Sequence, residues 1–352
     1  MDRSPLVRTE YPGGQGAERA KLGPWSPDAT FRAPCPDPGL TPARIGGSVS
    51  TLNLCRTTMS PAERRPLDVP GFWIMLGLAT LFAANNLMIK IGNDGLHPVF
   101  FAGVRSILAV PVIGAWMAWR GYSPRWDLWR GGLMLGLLFS CEFFFLFLAL
   151  DNTSVVRASS LFYAMPIWLA LAAHFLFPGE RLTPKRALGF ALGFSGVVLT
   201  FAGRGSVNAG GSVWGDLAAV LGGMSWAGLV IVSRLNPIGQ ARAETQIFWQ
   251  VLISALLLTA AAPLFSDELV RDFDGFQAGL LIVQAVGVVS VGFITWFWLI
   301  GIYKSSTVAS FSFLTPVLSA GLGWLVLGES VGIVTPVALA LLVGGLFLIN
   351  RR

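Results

Sequence analysis

From Pro70 onward the chain alternates long apolar runs with short polar breaks. A helix needs ~20 residues to cross ~30 Å of hydrocarbon. Ten runs meet or approach that length: Gly71–Ile91, Pro98–Trp119, Gly131–Leu150, Val155–Phe177, Ala187–Ala202, Val213–Leu235, Gln246–Leu264, Gln277–Tyr303, Thr307–Leu327 and Gly332–Ile349. The fifth is short and is accepted because an internal repeat requires a helix there. The pattern predicts an all-α integral membrane protein of about ten transmembrane helices.

Residues Met1–Asp68 have a different character. They are rich in Pro, Gly, Ser and mixed charge, with no apolar run able to build a core, and are predicted to form a disordered N-terminal tail. No signal-peptide core is present, and Leu52-Asn53-Leu54-Cys55 lacks the upstream apolar segment of a lipoprotein signal. Met59 is an alternative start, so whether residues 1–58 are translated is a question for an intact mass.

Charge is divided unequally between the breaks. With the tail in the cytoplasm, the same side receives Arg120, Arg125, Arg130, Arg181, Lys185, Arg186, Arg234, Arg242, Lys304, Arg351 and Arg352. The other side receives Lys90, Arg157, Arg204 and Arg271, together with the acidic Asp267, Glu268, Asp272 and Asp274. The positive-inside rule therefore predicts cytoplasmic N and C termini. Trp116, Trp119, Trp126 and Trp129 bracket one loop as an interfacial belt.

Composition supports lipid as the solvent. Only 12% of residues are charged and 54% are hydrophobic, against about a quarter charged in soluble domains. The net charge of +6 is spread between apolar runs instead of lying on one element, which argues against nucleic acid. Three cysteines and two histidines offer neither a disulfide framework nor metal-ligand spacing, so no cofactor or metal is expected.

The strongest pattern is an internal echo. Thr153-Ser154-Val155, Pro166 and Pro178-Gly179-Glu180 precede a glycine-rich helix with Gly189, Gly193 and Gly196. Roughly 150 residues later come Ser305-Ser306-Thr307, Pro316 and Leu327-Gly328-Glu329, then a helix with Gly344 and Gly345. Trp214-Gly215-Asp216 opens the second half, and Ser225-Trp226-Ala227 stands where the first half has Ala83-Ala84-Asn85. Residues 71–204 and 213–350 are thus predicted to form two related five-helix halves. Five is odd, so the second half enters the membrane the opposite way round. An inverted 5+5 repeat of this kind points to alternating access, with a substrate site near the midplane.

The segment from Gly71 to Arg352 resembles the EamA-type branch of the drug/metabolite transporter superfamily. The resemblance rests on Asn85-Asn86 before Ile89-Lys90-Ile91, on Phe100-Phe101-Ala102-Gly103-Val104-Arg105, and on the twice-occurring Pro to Gly-Glu segment with its glycine helix. It implies a ten-helix carrier in a bacterial inner membrane, with a central cavity and with the fifth and tenth helices peripheral. Export of amino acids, related metabolites or drugs is the implied activity. Uptake of a nucleoside-like metabolite is the alternative, and a non-transport membrane enzyme or sensor is the reading from another class. The implied partners are a small-molecule substrate and the bilayer, with a homodimer left open.

Ionisable groups inside a bilayer are functional candidates because each is costly there. Glu142 lies ~17 Å from one membrane face and Arg105 ~11 Å from the other, at ~1.5 Å per helical residue, so the two depths roughly agree. Either they pair in one state and bind a zwitterionic substrate or exchange a proton, or they form a permanent structural pair. Asn85, Asn86, Ser159, Tyr163, Trp226, Trp296, Ser312 and Thr315 complete a candidate substrate path, although Ser and Thr also bond their own backbone. Pro166 and Pro316 fall mid-helix and are expected kinks or hinges. Lys90 and His174 read as interfacial, Glu180 as part of a solvated loop cluster with Arg181, Lys185 and Arg186, its echo Glu329 as architectural, and Gly132/Gly136 and Gly189/Gly193 as packing positions.

Gly193-Phe194-Ser195-Gly196 fits a rhomboid-type protease motif, but His97 and His174 both precede the serine, whereas that family's histidine follows it. No His-Glu-x-x-His pattern, intramembrane Asp pair or Walker loop occurs. The chain is therefore not expected to be an enzyme.

Overall fold

The computed structural model describes residues 67–177, 183–202, 211–303, 311, 314–329 and 332–350. Among these the chain is helical, with isolated bridges joining Leu96 to Val270 and Thr153 to Gly211. The helices are α1 (Val69–Gly95), α2 (Pro98–Trp119), α3 (Trp129–Asn152), α4 (Val155–Phe162), α5 (Met165–Leu176), α6 (Pro184–Ala202), α7 (Val213–Leu235), α8 (Ala243–Ala261) and α9 (Gly275–Ile282). A π-helical stretch, Val283–Gly292, leads into α10 (Phe293–Ile302), followed by α11 (Leu314–Leu327) and α12 (Val334–Asn350). Seven helical segments are long and apolar enough to cross a membrane, and Leu314–Leu327 and Val334–Leu348 are shorter apolar helices. The short fifth run lies in α6, which extends it to 19 residues.

Two crossings are interrupted. The α4–α5 crossing breaks at Tyr163 and Ala164, just before Met165-Pro166. Pro166 therefore occupies the first turn of α5, where its missing N–H costs nothing, instead of the middle of a continuous helix. The second interruption is the π stretch, where the Ser290 hydroxyl donates to the Ala285 carbonyl five residues back.

Some helix starts carry side-chain caps, which pair N–H groups the first turn leaves open. Asp68 accepts from Gly71 at the start of α1, Ser154 from Arg157 at α4, Ser212 from Gly215 at α7, and Asp274 from Gln277 at α9.

The helix ends gather in two sets. The His97 N–H donates to the Leu269 carbonyl, the Arg271 N–H to Gly95 and the Ser212 N–H to Asn152. Thus α1, α3 and α8 finish where α2, α4, α7 and α9 begin. At the other end, Tyr303 after α10 meets Asp68 before α1. There Thr245 and Trp249 of α8 donate to the Ser123 and Pro124 carbonyls in the α2–α3 connection.

The main packing pairs include α3 on α7 and α8, α2 on α8, α1 on α11 and on the π stretch, α4 on α7 and α11, α6 on α12, and α2 on the π stretch. Glycines permit the closest approaches. A Cβ at Gly345 would collide with the Gly193 backbone, one at Gly132 with the Trp249 ring, and one at Gly136 with Ile253.

Candidate functional site

Polar side chains from α1, α2, α3, α4 and α11 are buried within the bundle. Arg105 of α2 is 1% exposed. Its guanidinium lies over the rings of Phe143 (4.1 Å) and Phe147 (4.9 Å) on α3. Its Nε and Nη2 have no hydrogen-bond partner. Glu142, adjacent to Phe143, is also buried and lies within electrostatic reach of Arg105. No ion pair joins them: the guanidinium faces the aromatic rings instead of the carboxylate. A desolvated cation gains about 2 kcal/mol from such a face, so stacking offsets part of the cost of burying the charge.

Tyr163, at the α4–α5 break, comes near both Glu142 and Asn86. The Asn86 Oδ1 has no partner. The Asn86 Nδ2 donates to the Ser319 Oγ of α11 at 3.0 Å. Thr315, one turn earlier on α11, is buried, as is Asn85, whose Oδ1 is also unpartnered. Trp226 of α7 stacks on Phe162 at 5.4 Å and meets Tyr163 edge-on at 5.8 Å.

Other candidates lie elsewhere. Trp296 packs against a separate apolar cluster with Met75, Leu78, Leu299 and Tyr303, and touches Phe82 at 6.1 Å. The Ser159 and Ser160 hydroxyls donate to the Val156 carbonyl of their own helix, and that of Ser195 to Ala191. Pro316 is buried near the start of α11. Ser312 and Glu180 lie outside the described residues.

Several polar contacts were missed from sequence. Lys90 donates to the Asp151 and Thr153 carbonyls, so it caps the end of α3. Arg157 and Asp216 form a buried ion pair, with the Arg157 Nε at 3.3 Å and the Thr153 hydroxyl at 2.9 Å from the same Oδ1. Counting Arg157 among the charges of one membrane side, and reading Asp216 only as part of the motif that opens the second half, hid this pair. Their places in the first turns of two apolar runs were the available signal. Asn93 donates to the Phe147 carbonyl, and Ser106 of α2 meets Ser254 of α8 at 3.1 Å.

Comparison with known proteins agrees with this scaffold. The sequence profile of the EamA-like transporter family matches twice, over residues 69–202 and 213–351. An uncharacterized transporter of Archaeoglobus fulgidus is 25% identical, over 79% of this chain and 97% of its own. The uncharacterized inner membrane transporter YedA of Escherichia coli K12 is 23% identical, over 80% and 91%. A probable amino-acid metabolite efflux pump of E. coli K12 is 27% identical, over 73% and 86%. A crystal structure 25% identical in sequence superposes with a TM-score of 0.55, covering 78% of this chain and 94% of that one. With two tandem matches spanning most of a membrane-crossing helical chain, the protein belongs to the EamA-like transporter family.

Proposed function

We propose that this membrane transporter is a secondary carrier working by alternating access and exporting amino acids, related metabolites or drugs across a bacterial inner membrane. The observation that carries this reading is a polar cluster, buried except for the half-buried Tyr163 and Trp226, to which both halves contribute. Asn85, Asn86, Arg105, Glu142 and Tyr163 come from the first, and Trp226, Thr315 and Ser319 from the second. Buried polar atoms are normally hydrogen-bonded, so unpartnered groups on Arg105, Asn85 and Asn86 suit a solute that supplies the missing partners. The name of the E. coli efflux pump supports amino-acid-like cargo.

The main packing pairs named above map onto one another when each crossing is replaced by its counterpart five crossings away, and this, with the opposed gathering of helix ends, supports an inverted repeat of residues 71–204 and 213–350. The basic loops near Arg120, Arg130, Arg234 and Arg242 support cytoplasmic termini.

The test is the external metabolite profile of cells overexpressing wild type or Glu142→Gln. A solute accumulating outside only with wild type is expected. Depletion of a medium component would overturn export in favour of uptake. A profile identical to that of empty cells across amino acids, related metabolites and drugs would overturn the proposed cargo.

A further inference from the structure

The two ends of the bundle carry matching contacts. Thr153 follows the last residue of α3, and its hydroxyl donates to Asp216 in the first turn of α7 at 2.9 Å. Tyr303 follows the last residue of α10, and its hydroxyl donates to Asp68 at the start of α1 at 2.6 Å. The resemblance extends to a glycine in the first turn of each gripped helix. Asp68 caps α1 through Gly71, and a Cβ at Gly71 would collide with Tyr303. Ser212 caps α7 through Gly215, and a Cβ at Gly215 would meet Asn152 at 2.8 Å. In each case, a residue at the end of one half's third crossing grips the beginning of the other half's first. Glycine makes room at both places, for the Tyr303 ring at Gly71 and for the Asn152 backbone at Gly215.

The two grips lie at opposite ends. Thr153 and Asp216 sit where α1, α3 and α8 finish, and Tyr303 and Asp68 where α1 begins. Each spans the two halves, so neither end can part while its grip holds. At the Asp216 end Arg157 adds a second hold on the same carboxylate, with both side chains buried. A buried pair of this kind is a poor stabiliser beside a well-packed apolar contact, but breaking it by removing one partner is costly. It therefore suits a contact that is closed in one state and solvated in another.

We infer that Thr153–Asp216, reinforced by Arg157, and Tyr303–Asp68 are paired latches, and that transport proceeds by releasing one while the other holds. This rests on the alternating-access reading. It makes a demand that reading does not: weakening the two latches must open the molecule to opposite sides.

The test uses sidedness of chemical labelling and needs no substrate. Cys35, Cys55 and Cys141 are replaced by serine, and Asn85→Cys provides a mid-membrane probe on α1. A membrane-impermeant maleimide is applied to right-side-out and inside-out vesicles of the full chain. Asp216→Asn is expected to raise labelling from the Asp216 end about fivefold, with no rise from the other end. Asp68→Asn should give the mirror result; Asn still caps a helix, so α1 keeps its start. Thr153→Val and Tyr303→Phe remove only hydroxyls and should reproduce the two patterns if an Asp variant does not fold. Opening on the same side, on both sides alike, or not at all in the folded variants would overturn the latches. Failure of the carrier reading would appear separately, in the metabolite profile.

Discussion

Glu329 Oε1 accepts a hydrogen bond from the Val155 N–H at 2.6 Å, so a side chain following α11 caps a helix that begins 174 residues earlier. Its Oε2 accepts from Val156 at 3.0 Å. Two N–H groups at a helix start and one carboxylate form a charge-assisted cap, favoured also by the helix dipole.

Glu329→Ala removes both acceptors and is expected to cost about 1–2 kcal/mol, the usual worth of a lost N-terminal cap. Glu329→Gln keeps one acceptor and should fall between Ala and wild type. Thermal unfolding of the purified protein in detergent ranks the three. Equal midpoints would show that the contact carries no stability.

The course of α1–α3 and the membrane class were legible because apolar runs of this length have no other solvent. The Gly132/Gly136 and Gly189/Gly193 spacing likewise announced close packing, which Trp249, Ile253 and Gly345 fulfil. Pro166 marked the place of the α4–α5 interruption but not that a new helix starts there, and the π stretch was hidden, since a run of apolar residues does not record which backbone bonds are skipped. The depth match of Arg105 and Glu142 was readable, but the turn of the guanidinium onto Phe143 was not, because depth carries no azimuth. Arg157–Asp216 and Glu329–Val155 escaped for a related reason. Both join residues far apart in sequence at helix ends, where a charge read alone looks solvated.

Gly345 touches Gly189 and Gly193, and a Cβ there would lie 2.5 Å from the Gly189 carbonyl oxygen. Backbone cannot yield as a flexible side chain does, so Gly345→Ala must push α12 away from α6. The expected cost is about 1–3 kcal/mol, the range for overpacking a close contact. Gly344→Ala meets open space within 4 Å and should leave stability nearly unchanged. Paired unfolding measurements decide this, and equal effects at the two positions would refute the packing account.

His97, in the connection before α2, is buried with its Nδ1 unpartnered. Burial, and then the Arg271 charge, hold its pKa below the ordinary histidine value, with Asp151 opposing. Between the folded and unfolded pKa values the unfolded chain binds more protons, so stability rises with pH in that window. The destabilising effect is full below the folded pKa and fades as pH rises to about 6.5. Acidification below that value should therefore lower the unfolding midpoint of wild type. His97→Gln should flatten the dependence, and an unchanged slope would remove His97 as its source.

Arg105 combines charge, a planar face and two unpartnered nitrogens. Lysine matches only the charge: it cannot lie flat on Phe143 and Phe147, nor present a fork to a solute. If the guanidinium receives substrate, Arg105→Lys should lower transport about tenfold, equal to ~1.4 kcal/mol of lost interaction. Phe143→Leu keeps the fork but removes one ring, at a cost of about 0.5–2 kcal/mol in cation–π contact. That variant should lower stability, because the desolvated charge loses a partner, while substrate affinity falls less than in Arg105→Lys. Export rate and unfolding midpoint measured on both proteins separate the roles. Full transport by Arg105→Lys would assign the guanidinium to packing alone.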